Sequence, residues 1–429
     1  MKRKVAFKTL GCRLNQFETD ALLTDFFNAG YEVVDFKDDA DVYIINTCTV
    51  TTQGDHKSNT YINQAARNQS RSLVVVTGCM AESRKEYLES RGDITYVVGN
   101  ANKSQLLSLV EAHFNGEMLH PGDLKPDLFD FTVAEKSFHT RSMIKIQDGC
   151  DNFCSYCIVP SVRGPAVSRP VKDILNHVQQ VVALGFKEIV LTGVNISLYE
   201  HEGINFGKLV EKIAGIPGDF RIRISSIEPE RLGDRFIELF GHEKLCPHLH
   251  LCLQSGSERI VKRMNRNHTV AGYQTLIEKL RSAHPLFNFT TDIIVGFPGE
   301  TDQDFEETCR VVRDIGFSHV HTFKYSMRKG TKASTMPDQI SEIIKKQRSE
   351  VVRKISEENK LAYCSRFIGK KQTVLVEKVS RLGYAKGYGE HYLPVEFRPG
   401  REGNNYFTKV LIGEVNSASL TLRGIPESG

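Results

Sequence analysis

Two groups of cysteines carry the most distinctive chemistry available to this chain. In the first, Cys150, Cys154 and Cys157 stand in the C-x3-C-x2-C loop Asp148-Gly149-Cys150-Asp151-Asn152-Phe153-Cys154-Ser155-Tyr156-Cys157. A loop of this spacing can bring three thiolates to one face of an iron–sulfur cube. A ferredoxin completes its cluster with a fourth cysteine, whereas here Cys157 runs into Ile158-Val159-Pro160 and the next cysteine is Cys246. One iron would stay open to a ligand. The alternative is a structural zinc knuckle, which usually wants four ligands, often from paired C-x2-C hooks.

In the second group, three apolar runs each end on a cysteine: Val5 to Cys12, Val42 to Cys48 and Leu73 to Cys79. Short continuous apolar runs rich in β-branched residues read as strands buried on both faces. Helical patterns lie between them, such as Thr19 to Ala29 with Leu22, Leu23, Phe26 and Phe27 on one stripe. Parallel strands of such a βαβ array place their carboxyl ends along one sheet edge, where open α/β folds bind ligands. Cysteines 36 and 31 positions apart would then converge and could hold a second cluster. Three buried cysteines acting as small hydrophobes are the bland alternative.

The segments after the first cysteine loop, with the strand just before it, must position it. Strands are expected at Met143 to Gln147, Glu188 to Thr192, Arg221 to Ser225, His248 to Leu253, Thr290 to Val295 and His319 to Phe323, with helices such as Val171 to Leu184 and Asp302 to Ile315 between them. Six βα units suggest a partial barrel, whose reacting groups sit at the carboxyl ends of its strands. Cys150 comes three residues after the first strand. A charged helix from about Pro337 to Cys364, with Ile340, Ile343, Ile344, Val351, Ile355 and Leu361 as its apolar stripe, reads as a spacer packed on the barrel. Beyond it, short alternating segments and turns read as a small β barrel. From Arg366 to Gly429 there are ten Lys or Arg and six Asp or Glu, a net +4 that equals the formal charge of the whole chain. Basic charge with tyrosines suits a nucleic-acid clamp.

At 429 residues, with 25% charged and 40% hydrophobic residues, the chain is expected to form about three domains. The expected boundaries are 1–115 for the cysteine-bearing α/β domain, 116–135 for a linker, 136–366 for the barrel and 367–429 for the small β barrel. No signal-like segment and no run of eighteen apolar residues occurs. A soluble cytoplasmic protein is expected, in which ten cysteines serve metal or redox chemistry rather than disulfides.

The combined pattern resembles the radical S-adenosylmethionine (SAM) methylthiotransferases over nearly the full length. The strings that carry the resemblance include Thr9-Leu10-Gly11-Cys12, Asn46-Thr47-Cys48-Thr49-Val50-Thr51, Val76-Thr77-Gly78-Cys79, Leu191-Thr192-Gly193, Leu253-Gln254-Ser255-Gly256-Ser257 and Gly296-Phe297-Pro298-Gly299-Glu300-Thr301, besides the C-x3-C-x2-C loop. The run Thr49-Val50-Thr51 and the stretch Thr9 to Thr19 are similar to the MtaB branch, which acts on N6-threonylcarbamoyladenosine at position 37 of tRNA.

The resemblance implies an α/β chain with a parallel N-terminal domain, a partial (β/α)6 radical SAM barrel and an RNA-binding TRAM barrel. It implies two [4Fe-4S] clusters. Cys150, Cys154 and Cys157 would hold the one that binds SAM and cleaves it to a 5′-deoxyadenosyl radical; Cys12, Cys48 and Cys79 would hold an auxiliary cluster bearing the sulfur to be transferred. A radical route fits the unactivated C–H bond at carbon 2 of adenine. Carried over by motif, Gly193, Ser225, Glu228, Gln254, Asp292 and Ile294 are candidates for the SAM pocket, with Tyr156 near the adenine. Expected partners are the tRNA anticodon stem-loop and an electron donor such as flavodoxin or ferredoxin, with the enzyme a monomer. Related branches act on isopentenyladenosine-37 or on a ribosomal-protein side chain.

Arg163 and Arg169, just beyond the first cysteine loop, are candidates for tRNA contact. The string Cys246-Pro247-His248-Leu249-His250-Leu251-Cys252 is expected to be an inner barrel strand rather than a third metal site, and Cys309 and Cys364 are expected to be packing residues. The turn Gly296-Phe297-Pro298-Gly299 lacks the Lys-Ser/Thr of a P-loop and suits a SAM contact better.

Overall fold

The structure, a computed structural model, describes residues 2–67, 72–134, 140–400 and 402–427. Residues 135 and 136, the expected end of the linker and start of the barrel, lie outside the described residues.

Five parallel strands form the first sheet, in the order Glu32–Val34, Lys4–Thr9, Val42–Thr47, Leu73–Gly78, Tyr96–Val98. Alternation along the strands sends side chains to two separate cores. Val5, Val42, Ile44, Leu73 and Val75 pack on one face with Leu22 and Phe26 of the helix Arg13–Asn28. Ala6, Tyr43, Ile45, Val74 and Val76 pack on the other with Ile62 and Ala65 of the helix Thr52–Ala66. Burial on both faces accounts for the continuous apolar runs. The helix Arg13–Asn28 has a second role, because Phe17 and Ala21 meet Phe131 and Met143 and so dock the sheet domain onto the next one.

All six strands expected in the middle of the chain are present, at Ser142–Lys145, Glu188–Thr192, Arg221–Ile224, His248–Leu251, Asn288–Val295 and His319–Lys324. They are parallel and split between a three-stranded and a four-stranded sheet, and the chain passes from one to the other at Ser225, where Arg221–Ile224 ends and Ser226–Ile227 begins. Leucine, isoleucine and phenylalanine side chains on the outer faces of these strands pack under the helices. Cys309 belongs to this core and Cys364 to the core of the last domain, so both are packing residues.

The helix Glu342–Ser365 spans both bodies, with Val352 and Ile355 in the barrel core and Tyr363 and Cys364 in the terminal one. Its expected stripe needs correction. Ile343, Ile344, Val351 and Leu361 are exposed, while Lys345 and Arg348 are buried. Part of the inward face is polar, although Ile355 of the expected stripe is buried, because Arg348 pairs with Glu300 at 2.6 Å and with Asp302 at 2.7 Å, pairings that apolar periodicity does not register.

The last domain is a closed barrel of five strands. It seals the amino-terminal end of the large barrel. Arg221 donates to the carbonyls of Thr373 at 2.8 Å and Tyr388 at 2.9 Å, and Asn288 donates to the carbonyl of His391 at 2.6 Å. Glu188 is fully buried between Arg221 and Arg223, which hold it ionised against the cost of burial. Among the described residues no helix is long and apolar enough to cross a membrane.

Candidate active site at the mouth of the barrel

The C-x3-C-x2-C loop leaves the first barrel strand through a turn that only glycine permits. Gly149 has φ +71°, and a Cβ there would lie 1.8 Å from the carbonyl oxygen of Pro165. The loop is pinned by the Cys150 N–H on the Gly164 carbonyl at 3.1 Å and by the Cys157 N–H on the Cys154 carbonyl at 2.9 Å. Phe153, inside it, takes φ +45°, strain of the kind that clusters at functional sites. Burial pushes the Cys157 thiol up to about 12; a hydrogen bond from Val159 opposes this, and the neighbouring Cys154 and Cys150 add to it. Three such thiols do not ionise together unless a cation compensates them, which is the donor set that an iron–sulfur cluster requires.

Donors already surround the sulfurs. The Asn152 N–H points at Cys150 Sγ at 3.5 Å, Asn195 Nδ2 at the same sulfur at 3.8 Å, and Arg266 Nη1 at Cys154 Sγ at 3.4 Å. Arg266 also pairs with Glu228. Gln147 ties the loop to the neighbouring strand end: its Oε1 accepts from the N–H groups of Val194 and Asn195 at 3.1 and 2.9 Å, while its Nε2 donates to the carbonyls of Asp148 and Gly149. Gln147 closes the first expected strand and Asn195, two residues past Gly193, is a polar residue at the end of the second, whereas Arg266 gives no such signal in the sequence.

Of the residues carried over for a SAM pocket, Gly193, Ser225, Glu228, Gln254 and Ile294 lie at or just past the carboxyl ends of barrel strands, while Asp292 is mid-strand and Tyr156 is in the cysteine loop. Gly193 follows the second strand, and a Cβ there would come 2.8 Å from the Gln147 carbonyl oxygen. Ser225 sits at the break between sheets, its N–H on the Leu191 carbonyl at 3.1 Å. Gln254 has φ +69°; its N–H meets the Asp292 carbonyl and its carbonyl accepts from Ile294, both at 2.9 Å. Tyr156 and Ile294 pack with Phe297 and Tyr325. The strand after Cys246 is an inner barrel strand, yet His250, Cys252 and Asp292 bring one ligand atom each within 4.8 Å of one another. His250 is committed within the protein, Nδ1 to Thr290 at 3.0 Å and Nε2 to Asp292 at 3.2 Å.

The second trio also converges. Cys12 precedes the helix Arg13–Asn28, Cys48 follows its strand directly, and Cys79 opens the short helix Cys79–Ser83. A Cβ at Gly11 would lie 3.2 Å from Cys48 Sγ. Burial raises the Cys48 thiol to about 11, against a hydrogen bond from Val50, with further contributions from Cys79 and Cys12. All six thiols are free of disulfides.

Between the trios runs a buried ionic seam. Glu18 accepts from Lys145 and Arg163, each at 3.1 Å, and pairs with Lys103 at 2.5 Å. Asp148, just before the first cysteine loop, pairs with Lys145 at 2.6 Å and Arg163 at 2.9 Å. Asn15 accepts from Arg163 at 2.7 Å. Burial opposes ionisation of Glu18, but Arg163, Lys103 and Lys145 outweigh it and hold the carboxyl well below its ordinary range. The tRNA contact expected of Arg163 is therefore corrected: its guanidinium is enclosed and engaged by two carboxylates. Arg169 is buried as well, bonded to His177 Nδ1 at 3.0 Å, and faces Phe129, Phe131 and Asp173 rather than the cysteines.

Comparison with known proteins agrees with this architecture. The Radical SAM superfamily matches residues 144–312 and the uncharacterized protein family UPF0004 matches residues 4–99. The threonylcarbamoyladenosine tRNA methylthiotransferase MtaB of Aquifex aeolicus is 37% identical, over 95% of this chain and all of its own. The tRNA-2-methylthio-N(6)-dimethylallyladenosine synthase of Fusobacterium nucleatum is 37% identical over 88% of this chain and 89% of its own. Among solved structures, the radical S-adenosylmethionine methyltransferase TsrM from Kitasatospora setae shares the fold, with TM-score 0.58 and 15% identity over 78% of this chain and 74% of that one. On this near-full-length likeness to such enzymes, the chain belongs to the radical SAM methylthiotransferase family, in its MtaB branch.

Proposed function

We propose that this enzyme transfers a methylthio group to carbon 2 of N6-threonylcarbamoyladenosine-37 in tRNA, with two [4Fe-4S] clusters and SAM. The observation that carries this reading is the pairing of two separate, converging cysteine trios across one buried ionic seam. Cys150, Cys154 and Cys157 would hold one cluster, and Cys12, Cys48 and Cys79 the other. When bound, the first would supply the electron that cleaves SAM and the second the sulfur.

The remaining work falls to the chain's own side chains. Gly193, Ser225, Gln254 and Ile294, at the strand ends, would line the SAM pocket. Glu228, held by Arg266, offers a carboxylate to a cationic or hydroxyl-bearing ligand. Tyr156 closes the apolar side with Phe297. The terminal barrel would grip the anticodon stem-loop, and a small flavodoxin or ferredoxin would deliver electrons to a monomer.

The test is anaerobic reconstitution with SAM and reductant on anticodon stem-loops carrying threonylcarbamoyl, isopentenyl or no group at N6, followed by mass spectrometry of the nucleosides. A 2-methylthio product from the threonylcarbamoyl stem-loop is expected. Comparable product from the isopentenyl stem-loop would move the enzyme to the other tRNA branch, and product from neither would sink the assignment to tRNA.

A further inference from the structure

Most arginines at the heart of the molecule are paired with carboxylates, though Arg169 instead meets His177 and Arg281 a backbone carbonyl. Arg141 pairs with Glu377 at 2.5 Å and Glu188 at 3.6 Å, Arg163 with Glu18 and Asp148, Arg221 and Arg223 with Glu188, Arg266 with Glu228, and Arg328 with Asp55 at 2.5 Å. Arg13 is half-buried and, among the described residues, has no carboxylate partner. It donates a hydrogen bond from Nη2 to the hydroxyl of Tyr392 at 3.1 Å. The rest of its fork is left for another acceptor. A partly desolvated cation without a counter-ion is costly unless an anion comes to it.

Its surroundings indicate where such an anion would belong. Arg13 directly follows Cys12 and lines a cavity of about 420 Å³ with Gln16, Arg141, Met143, Val190, Glu377 and Tyr392, the Glu377 carboxylate being taken up by Arg141. That volume suits a small ligand or one arm of a larger one. The charge of Arg13 reaches His248 and His321, which lie on barrel strands. Arg13 thus lies between the second cysteine trio and the barrel interior.

The protein also invests in holding Arg13. Tyr392 comes from the terminal barrel in a loop that closes with its N–H on the Gly389 carbonyl at 3.0 Å, and it takes φ +60°. A non-glycine residue keeps that conformation only when its surroundings impose it. Here the ring stacks on Tyr388 at 4.9 Å and lies 4.7 Å from His248, with the Arg223 guanidinium 4.5 Å from its centroid. Burial opposes ionisation of the phenol, but Arg13, Arg141 and Arg223 prevail and hold it below its ordinary value. Tyr392 is a positioning residue that presents an acceptor to Arg13 without neutralising it.

We propose that Arg13 receives the carboxylate of the threonylcarbamoyl group and is the specificity-determining residue of this enzyme. The proposal rests on the substrate reading above. A guanidinium matches a carboxylate in a planar, two-point fashion, and a site built to pair a polar group rejects an analogue that lacks it. Isopentenyl offers Arg13 nothing, and would leave it partly desolvated with no counter-ion.

The experiment uses the full reconstituted chain and stem-loops carrying N6-threonylcarbamoyladenosine, its carboxyl methyl ester, or isopentenyladenosine, with Kd from fluorescence anisotropy and KM and kcat from product mass spectrometry. Wild type is expected to favour the acid over the ester by about 100-fold in kcat/KM. In Arg13→Gln that preference should fall to within about threefold, chiefly through a raised KM, and Arg13→Lys should restore part of it. An Arg13→Gln enzyme that still favours the acid as strongly as wild type would overturn the proposal. So would an equal loss on all three stem-loops, the signature of a backbone-phosphate contact. If wild type itself prefers isopentenyl, the substrate reading fails before any variant is compared, and the role of Arg13 fails with it.

Discussion

Arg163 Nη1 lies 3.1 Å from Glu18 Oε1, and through that contact the helix that follows Cys12 is tied to the barrel element that follows Cys157. The two cysteine trios are thereby fixed relative to each other, which a reaction using both would need. Removing one partner from a buried pair strands the other charge. Arg163→Ala is expected to cost about 3–5 kcal/mol, read as a lowered denaturation midpoint at unchanged slope. Glu18 and Asp148 are both held below their ordinary values in the folded state. Their contribution is therefore complete above the unfolded carboxylate range of about pH 4 and drains away as pH falls through the lower folded values. Glu18→Gln should flatten the stability profile on its acid side, and an unchanged profile would remove the seam from the account.

Metal content separates the two trios. Two four-iron clusters, one on each trio as proposed, would give about eight irons per chain after anaerobic reconstitution. Replacing Cys150, Cys154 and Cys157 by Ala should leave about four and abolish SAM cleavage. Replacing Cys12, Cys48 and Cys79 should also leave about four, but with SAM cleavage retained and methylthio transfer lost. Full iron in that second variant would refute the auxiliary cluster.

The parts of this molecule that the sequence makes legible are those set by local pattern. The six barrel strands and the three cysteine-terminated strands follow from apolar β-branched runs, and the converging thiols follow from their shared position at the strand ends. The features that stay hidden depend on distant partners. Arg163 reads as a free cation because its acceptor Glu18 lies 145 residues away in the chain. The inward face of Glu342–Ser365 departs from its apolar stripe because Arg348 reaches Glu300, 48 positions away, and so turns a charged residue into the core. Arg13 escapes notice for a similar reason, since its lack of a counter-ion can be seen only after the other arginines are paired. Tyr392 gives no signal at all, because its role depends on how one domain docks beneath another.

Arg266 joins Cys154 Sγ at 3.4 Å to the carboxylate of Glu228. Burial raises the Glu228 carboxyl, and Arg266 partly counters it. Removing such a supporting group typically costs 10–100-fold in affinity or activity. Arg266→Ala should weaken SAM binding and slow reductive cleavage by about that factor, with Arg266→Lys intermediate. Cleavage at the wild-type rate in Arg266→Ala would show that the pair is structural only.

The grip on RNA calls for a test gentler than deletion, because the terminal barrel covers the floor of the large one through Arg221, Arg223 and Asn288. At its exposed edge, Arg398 lies 5.3 Å from the centroid of the Tyr384 ring, and Arg381 and Lys378 are exposed on the same hairpin. Cations beside an aromatic ring suit phosphate attraction with base stacking. The combined variant Arg381→Glu and Arg398→Glu should weaken binding of the stem-loop and make its salt dependence shallower, by roughly 0.7–0.9 in logarithmic slope for each phosphate no longer neutralised. SAM cleavage without RNA should be untouched, because these residues lie in neither cysteine site. Binding that keeps both its affinity and its slope across a salt series would place the RNA-binding surface elsewhere on the protein.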